Sequence, residues 1–174
     1  MANIGRVLAN KVGRAIFERY QPSIVIVDDT KANFGKVLLE HAKRCGYNRI
    51  DRIHYVRSAE LDQLITPGKY DVIILDIKGV VHPDIAVDGL QLSELIRRSN
   101  SAYLALTSAH QYHLDKRTLQ ADRIIENRIM TAVDFVKLLD EITEELLERK
   151  IKFAKKLGLR AASFLLKKSV AASS

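Results

Sequence analysis

Tryptophan is absent from this chain, and cysteine, proline and glycine are scarce, at one, three and eight residues among 174. A lone thiol, Cys45, closes no internal disulfide, so the fold must be held by packing, and the chain suits a reducing cytoplasm. The scattered glycines build no phosphate-cradling loop, and neither a nucleophile elbow nor a CxxC pair is present. The usual nucleotide-hydrolase and serine-hydrolase readings therefore lack their parts. No run of about 18 apolar residues is available for a membrane span. Arg6, Lys11, Arg14 and Arg19 interrupt the first stretch, which is not expected to act as a secretory signal. Internal repeats and low-complexity segments are also missing.

What is present fits a soluble globular domain with appendages: 47% apolar and 28% charged residues over a length sufficient for a sizeable core. The net charge of +7 is unevenly placed. Arg149, Lys150, Lys152, Lys155, Lys156, Arg160, Lys167 and Lys168 lie beyond the last acid, leaving 20 basic against 21 acidic side chains in the rest. The basic character belongs to a tail, and the body is near neutral.

Between Pro22 and Glu148 strand and helix patterns alternate. SIVIVDD is a β-branched run, and KANFGKVLLEHAKRCGY has helical spacing at Phe34, Val37, Leu38 and His41, with Gly46 as its C-terminal stop. RIDRIHYV reads as a second strand and SAELDQLI as a short helix stopped by Pro67 and Gly68. YDVIILDI, AYLALTSA and RIIE are the third, fourth and fifth strands. GLQLSELIRRS and YHLDKRTLQ are the helices between them, and Thr131 with Asp134 opens a long last helix. Five βα repeats with strands apolar on both sides predict an α/β fold, a doubly wound five-stranded parallel sheet flanked by helices. Ligands in such folds sit beyond the C-terminal ends of the strands.

That edge is where the polar residues gather. Asp28 and Asp29 end the first strand, Asp76 the third, and Thr107 with Ser108 the fourth. Three carboxylates in a partly dry cleft repel one another, and a hard cation with oxygen ligands relieves the repulsion. Such a cation also neutralises an incoming phosphoryl group, so that a carboxylate can act as nucleophile. Helix capping or solvated strand ends would account for one of these acids, not for three converging. A hydroxyl bonding its own backbone would account for Thr107 taken alone.

IVIVDD, DVIILD and ALTSA, spaced by βα units and followed by DGLQL with Asp88 and Gly89, resemble the receiver domain of two-component response regulators. The resemblance spans roughly residues 23–148. It implies a flavodoxin-like receiver fold, Asp76 as phosphoacceptor and Thr107 as switch hydroxyl. It also implies Mg²⁺ held by Asp28, Asp29, Asp76 and the Lys78 carbonyl, and a histidine kinase or phosphotransfer protein as donor. The protein would be a signalling component rather than an enzyme.

Three positions depart from the family. The strand-five lysine falls at Asn127, with Arg128 beside it as a substitute cation of different shape. The aromatic that moves with the switch threonine is replaced by Ile124. The loop after Asp76 is longer than usual by about five residues. The alternative is therefore a phosphorylation-independent pseudo-receiver, an adaptor or dimerisation scaffold. His110 and His113, with His54 and His82 elsewhere, lack a third ligand in register, and a solvated or packed role is favoured for them. Cys45 is expected to be packed.

The expected organisation is an N-terminal helical extension over 1–21, a receiver-like domain over 22–148 and a basic amphipathic helix over 149–174. Ile4, Leu8, Val12 and Ile16 form one stripe, and Leu147, Ile151, Ala154, Ala161 and Leu165 another, with Gly158 as a kink. Three readings stay open for the tail: packing of the terminal helices on each other or in a homodimer, an anionic membrane surface or partner groove, and nucleic-acid backbone. The first is favoured. The 26 residues after Glu148 are too few for a DNA-binding domain, so output is expected through protein contact.

Overall fold

β-branched side chains fill Ile24 to Val27, and an extended backbone lets such stiff side chains pack without losing rotamers. The computed structural model of the protein describes residues 20–30, 34–108, 120–126 and 130–156. Within them the first run is strand β1 (Ile24–Val27), followed by β2 (Ile50–Ile53), β3 (Val72–Asp76), β4 (Tyr103–Ser108) and β5 (Arg123–Glu126). The described helices are α1 (Lys36–Arg44), α2 (Ser58–Ile65), α3 (Gly89–Ser99) and α4 (Ala132–Lys156). The N-terminal helix expected before Tyr20, the one over residues 112–120 apart from Gln120, and the end of the basic tail lie outside the described residues.

All five strands pair in parallel, in the order β2-β1-β3-β4-β5. The order reverses at β1, which has β2 on one side and β3 on the other. Every residue of β1 and β3 is buried, as continuous Val/Ile/Leu runs in a two-sided sheet require. Alternation along the strands sends Val25, Val27, Ile73, Leu75, Leu104 and Leu106 into one core with Leu64 of α2 and Leu90, Leu92 and Ile96 of α3. Ile24, Ile26, Val72 and Ile74 point to the opposite face and are buried as deeply. The expected doubly wound α/β sheet is the fold observed.

Local departures have local causes. The second strand is shorter than the RIDRIHYV run, because β1 ends opposite Ile53 and leaves the edge without a partner. Pairing resumes at Val56, which forms a parallel bridge with Val81 from the loop after β3. The Val56 amide donates to Val80 at 2.7 Å, and the His82 amide to Val56 at 3.0 Å. Val80, Val81 and Ala86 enter the same core as the strands, so the longer loop is anchored sideways onto the end of β2. In α1 the buried residues are Leu38 and Ala42, whereas Val37 is exposed. Gly46, at φ 105°, turns the chain after α1 as expected. That turn brings Tyr47 into the core and leaves Cys45 exposed, contrary to the packed role expected for it.

The chain divides into two compact units, Pro22–Val133 and a second comprising Met1–Gln21 with Asp134–Ser174. In the second, Phe135, Leu139, Ile142 and Leu146 are buried along one side of α4. The helix continues past Glu148, which pairs with Lys152 at 3.8 Å, the i,i+4 contact its sequence offers. The Lys150 ammonium lies 4.8 Å over the Tyr20 ring and donates to its hydroxyl, tying the segment before β1 to α4. No helix among the described residues is long and apolar enough to cross a membrane.

One buried side chain closes the polar accounts of two loops. Asn100, after α3, donates to the carbonyls of Leu64 and Thr66 at 3.0 and 3.3 Å and accepts from the Ala102 amide at 2.9 Å. Replacing it by alanine orphans three backbone groups at once. Asn100→Ala is therefore expected to lower unfolding stability by roughly 2–3 kcal/mol, read from the urea midpoint at unchanged slope.

Candidate metal centre

Parallel pairing places β1 and β3 side by side with their C-terminal ends level, Val27 opposite Leu75. The residues that follow, Asp28 and Asp29 on one strand and Asp76 on the other, meet where the strand order reverses. Their ligand oxygens lie within 4.8 Å of one another, and they are the one such group of potential metal ligands among the described residues. Asp28 and Asp76 are buried, at 1% and 8% exposure, while Asp29 faces solvent. On the next strand Thr107 is the register partner of Asp76, and its carbonyl accepts from the Ile77 amide at 3.2 Å.

Donors from Thr30 and Ile77 hold the acids in place. The Thr30 amide donates to Asp28 Oδ1 at 2.8 Å, the Thr30 hydroxyl to Asp29 Oδ1 at 2.8 Å, and the Ile77 amide to Asp76 Oδ1 at 2.7 Å. Two glycines make room for this packing. Gly79 has a positive φ of 71°, and a Cβ there would overlap the Asp29 carboxylate. At Gly89 a Cβ would overlap the Asp76 carbonyl, so α3 starts directly against the backbone of the central acid. The start of α3 is itself fixed: Asp88 Oδ1 accepts from the Gln91 amide at 2.9 Å, and Gln91 Oε1 accepts from the Val87 amide at 2.7 Å.

Two buried oxygens in this cleft have no hydrogen-bond partner, Asp28 Oδ2 and Thr107 Oγ1. Unsatisfied buried oxygens are costly, and here one is an anionic acceptor within the carboxylate cluster and the other a hydroxyl opposite Asp76. A divalent cation with oxygen ligands fits the donor set that Asp28, Asp29 and Asp76 present.

No protein-family model matches the chain, and no curated protein does. Solved structures do. A chain in the crystal structure of histidine kinase ThkA in complex with response regulator protein TrrA aligns at 27% identity and TM-score 0.53, over 71% of this chain and 97% of that one. The CheY-like response regulator receiver domain from Methylobacillus flagellatus aligns at 20% identity and TM-score 0.53, over 71% and 99%. The receiver domain of the histidine kinase CKI1 from Arabidopsis thaliana, complexed with Mg²⁺, aligns at 16% identity and TM-score 0.51, over 70% and 94%. The chain has the receiver fold.

Against that fold, the sequence-derived site residues fall in different places. Asp28, Asp29 and Asp76 come together, and Thr107 stands in register with Asp76. Lys78 is exposed two residues beyond Asp76, next to Gly79. Asn127 and Arg128 lie outside the described residues, as do His110 and His113. Ile124, on β5 opposite Leu106, is 46% exposed. His82 accepts from the Asp84 amide at 3.3 Å and meets Tyr55 edge-on at 6.2 Å, and it is not a member of the carboxylate group.

Arg52 and Gly79 were not singled out from the sequence. Arg52 sits on β2 opposite Ile26, and its guanidinium donates to the carbonyls of Asp28 and Thr30 at 3.4 and 2.8 Å. Its Nη2 lies 3.8 Å from Asp28 Oδ2. The available signal was a cation inside an alternating strand, but only the parallel register shows that it stands beside Asp28.

Burial pushes the Asp28 carboxyl above its ordinary value; the Thr30 amide and the Arg52 charge pull it back, and Asp29 raises it further. Burial likewise raises Asp76, the Ile77 and Lys78 amides lower it, and the Asp28 and Asp29 charges add to the rise. Both groups therefore hold protons more tightly in the native chain than in the unfolded one. Their contribution favours folding at low pH and is lost as pH rises from the ordinary carboxylate range through the raised values. Without divalent cation, Asp28→Asn should raise Tm by roughly 2–4 °C at pH 7, because it removes a charge that burial disfavours. The gap to the parent should narrow as pH falls toward about 4. A gap independent of pH would assign it to packing.

Proposed function

We propose that this chain is a response-regulator receiver that accepts a phosphoryl group on Asp76 and passes the state on by protein–protein contact. The observation that carries the reading is the Thr107 hydroxyl, buried and without a partner, in register with the buried Asp76 carboxylate. A hydroxyl left open there suits a ligand with hydrogen-bond-accepting oxygens, and a phosphoryl group supplies them.

The donor would be a histidine kinase or a phosphotransfer protein. An Asp76 carboxylate oxygen attacks phosphorus in line, the O–P bond forms, and the P–N bond to the donor imidazole breaks with the electron pair leaving on nitrogen. Ile77 N–H holds the other carboxylate face in position for that attack. Thr107 then donates to a phosphoryl oxygen, and its displacement toward Asp76 would reshape β4 and its surroundings. Asp28, Asp29 and Asp76, with the Lys78 carbonyl, are the residues that would hold Mg²⁺. When bound, the ion would offset the charge developing on the phosphoryl oxygens. The setting is cytoplasmic, and the terminal segments would join two copies in a homodimer; membrane-surface or nucleic-acid binding by the basic tail is the less favoured role.

A second reading has its own observation. Ile124 stands half exposed where the family carries the aromatic that moves with the threonine. With Asn127 in the usual lysine position, this favours a pseudo-receiver adaptor whose contacts do not depend on phosphorylation.

Intact-protein mass after incubation with Mg²⁺ and a small phosphoryl donor separates the two. A receiver gains one phosphoryl group, lost in Asp76→Asn and without Mg²⁺. A parent protein that gains no mass, and whose oligomeric state ignores Mg²⁺ with a phosphoryl mimic, is the adaptor.

A further inference from the structure

The least expected residue at the cleft is a cation already in place. Arg52 reaches the acids from the edge strand β2 and is 12% exposed, so its charge is largely withdrawn from water. Its Nη2 is fixed by the Thr30 carbonyl at 2.8 Å and the Asp28 carbonyl at 3.4 Å. Both belong to the turn that carries the acids. The Nε, by contrast, is buried with no acceptor. Its hydrogen bonds to the Asp28–Thr30 turn run through Nη2, on the side of the Asp28 charge.

The distance to Asp28 Oδ2 sharpens the point. At 3.8 Å the two groups attract strongly in a partly dry site but form no hydrogen bond, and Oδ2 has no other donor. The oxygen is thus neutralised at a distance and still open to a cation. A dication arriving there would meet a positive charge already beside its ligand.

We propose that Arg52 is a built-in counter-ion that stabilises the cation-free cleft and lowers its affinity for divalent cations by competing for the Asp28 charge. This rests on the cation reading given under Proposed function. It makes Arg52 a positioning residue, acting on Asp28 and not on a substrate.

The test is calorimetric titration of the full chain with Mg²⁺, run with Arg52→Gln and Arg52→Lys, beside thermal unfolding with and without Mg²⁺. Removing the charge in Arg52→Gln should tighten Mg²⁺ binding roughly tenfold, and Arg52→Lys should stay within about threefold of the parent. Cation-free Arg52→Gln should melt below the parent by roughly 2–4 °C, and saturating Mg²⁺ should recover most of that loss. Equal Mg²⁺ affinity in the parent and Arg52→Gln overturns the counter-ion role while leaving the cation site intact. Failure of the parent and both variants to bind Mg²⁺ overturns the cation reading and the inference with it. Should Arg52→Gln not fold, the parent carries the test. Its Arg52 Nε–Hε resonance, assigned by its absence from Arg52→Lys, should shift on Mg²⁺ titration, and a resonance unmoved at saturation overturns the proposal.

Discussion

Three carboxylates are held within 4.8 Å of one another at the end of a parallel sheet, and much of the surrounding structure answers to that constraint. Mutual repulsion and burial both oppose the arrangement, and isolated from the fold it would fly apart or take up protons. Amides from Thr30 and Ile77 hold the charged oxygens, Arg52 supplies a compensating charge, and glycines at 79 and 89 remove the side chains that would collide with it. The cost of assembling the site is met by the sheet itself: β1 and β3 are buried at every residue, and their hydrophobic contacts fix the register that brings the acids together. Strain of this kind is common where a site is prepared for a ligand it does not yet hold.

Much of this was legible in the sequence because it follows from short-range rules. Val/Ile runs gave the strands, and the helix over Gly89–Ser99 matched its segment residue for residue, since Asp88 caps it and Asn100 ends it. Asp28, Asp29 and Asp76 were found because parallel strands bring their C-terminal ends to one edge whatever the intervening lengths. Arg52 was missed for the opposite reason. Its role depends on register between strands distant in sequence, and nothing local distinguishes a cation facing solvent from one facing a carboxylate. Val37 belongs to the helical stripe yet is exposed, because helical spacing does not choose which shoulder of a stripe meets the core; Cys45 was misjudged because the turn at Gly46 hands the buried position to Tyr47.

Receiver folds are recognised by geometry more reliably than by sequence, and this chain illustrates why. At 16–27% identity to solved structures, the fold persists although most side chains differ. A parallel sheet tolerates such drift because its register is set by apolar contacts on two faces, and these accept many volume-conserving exchanges. The functional edge has less freedom. There Gly79 has no room for a side chain against Asp29, nor has Gly89 against the Asp76 carbonyl.

The bridge between Val56 and Val81 has a consequence for motion. A loop lengthened by insertion would ordinarily be the first part of a domain to open locally. Here its amides and carbonyls are shared with the end of β2, and its valines with the central core. Opening of the loop therefore breaks the Val56 pairing as well, and the Val56 and His82 amides should exchange with solvent at a common rate. The wall of the cleft that carries Arg52 and the wall that carries Gly79 are thus stitched together through Val56, Val80 and Val81.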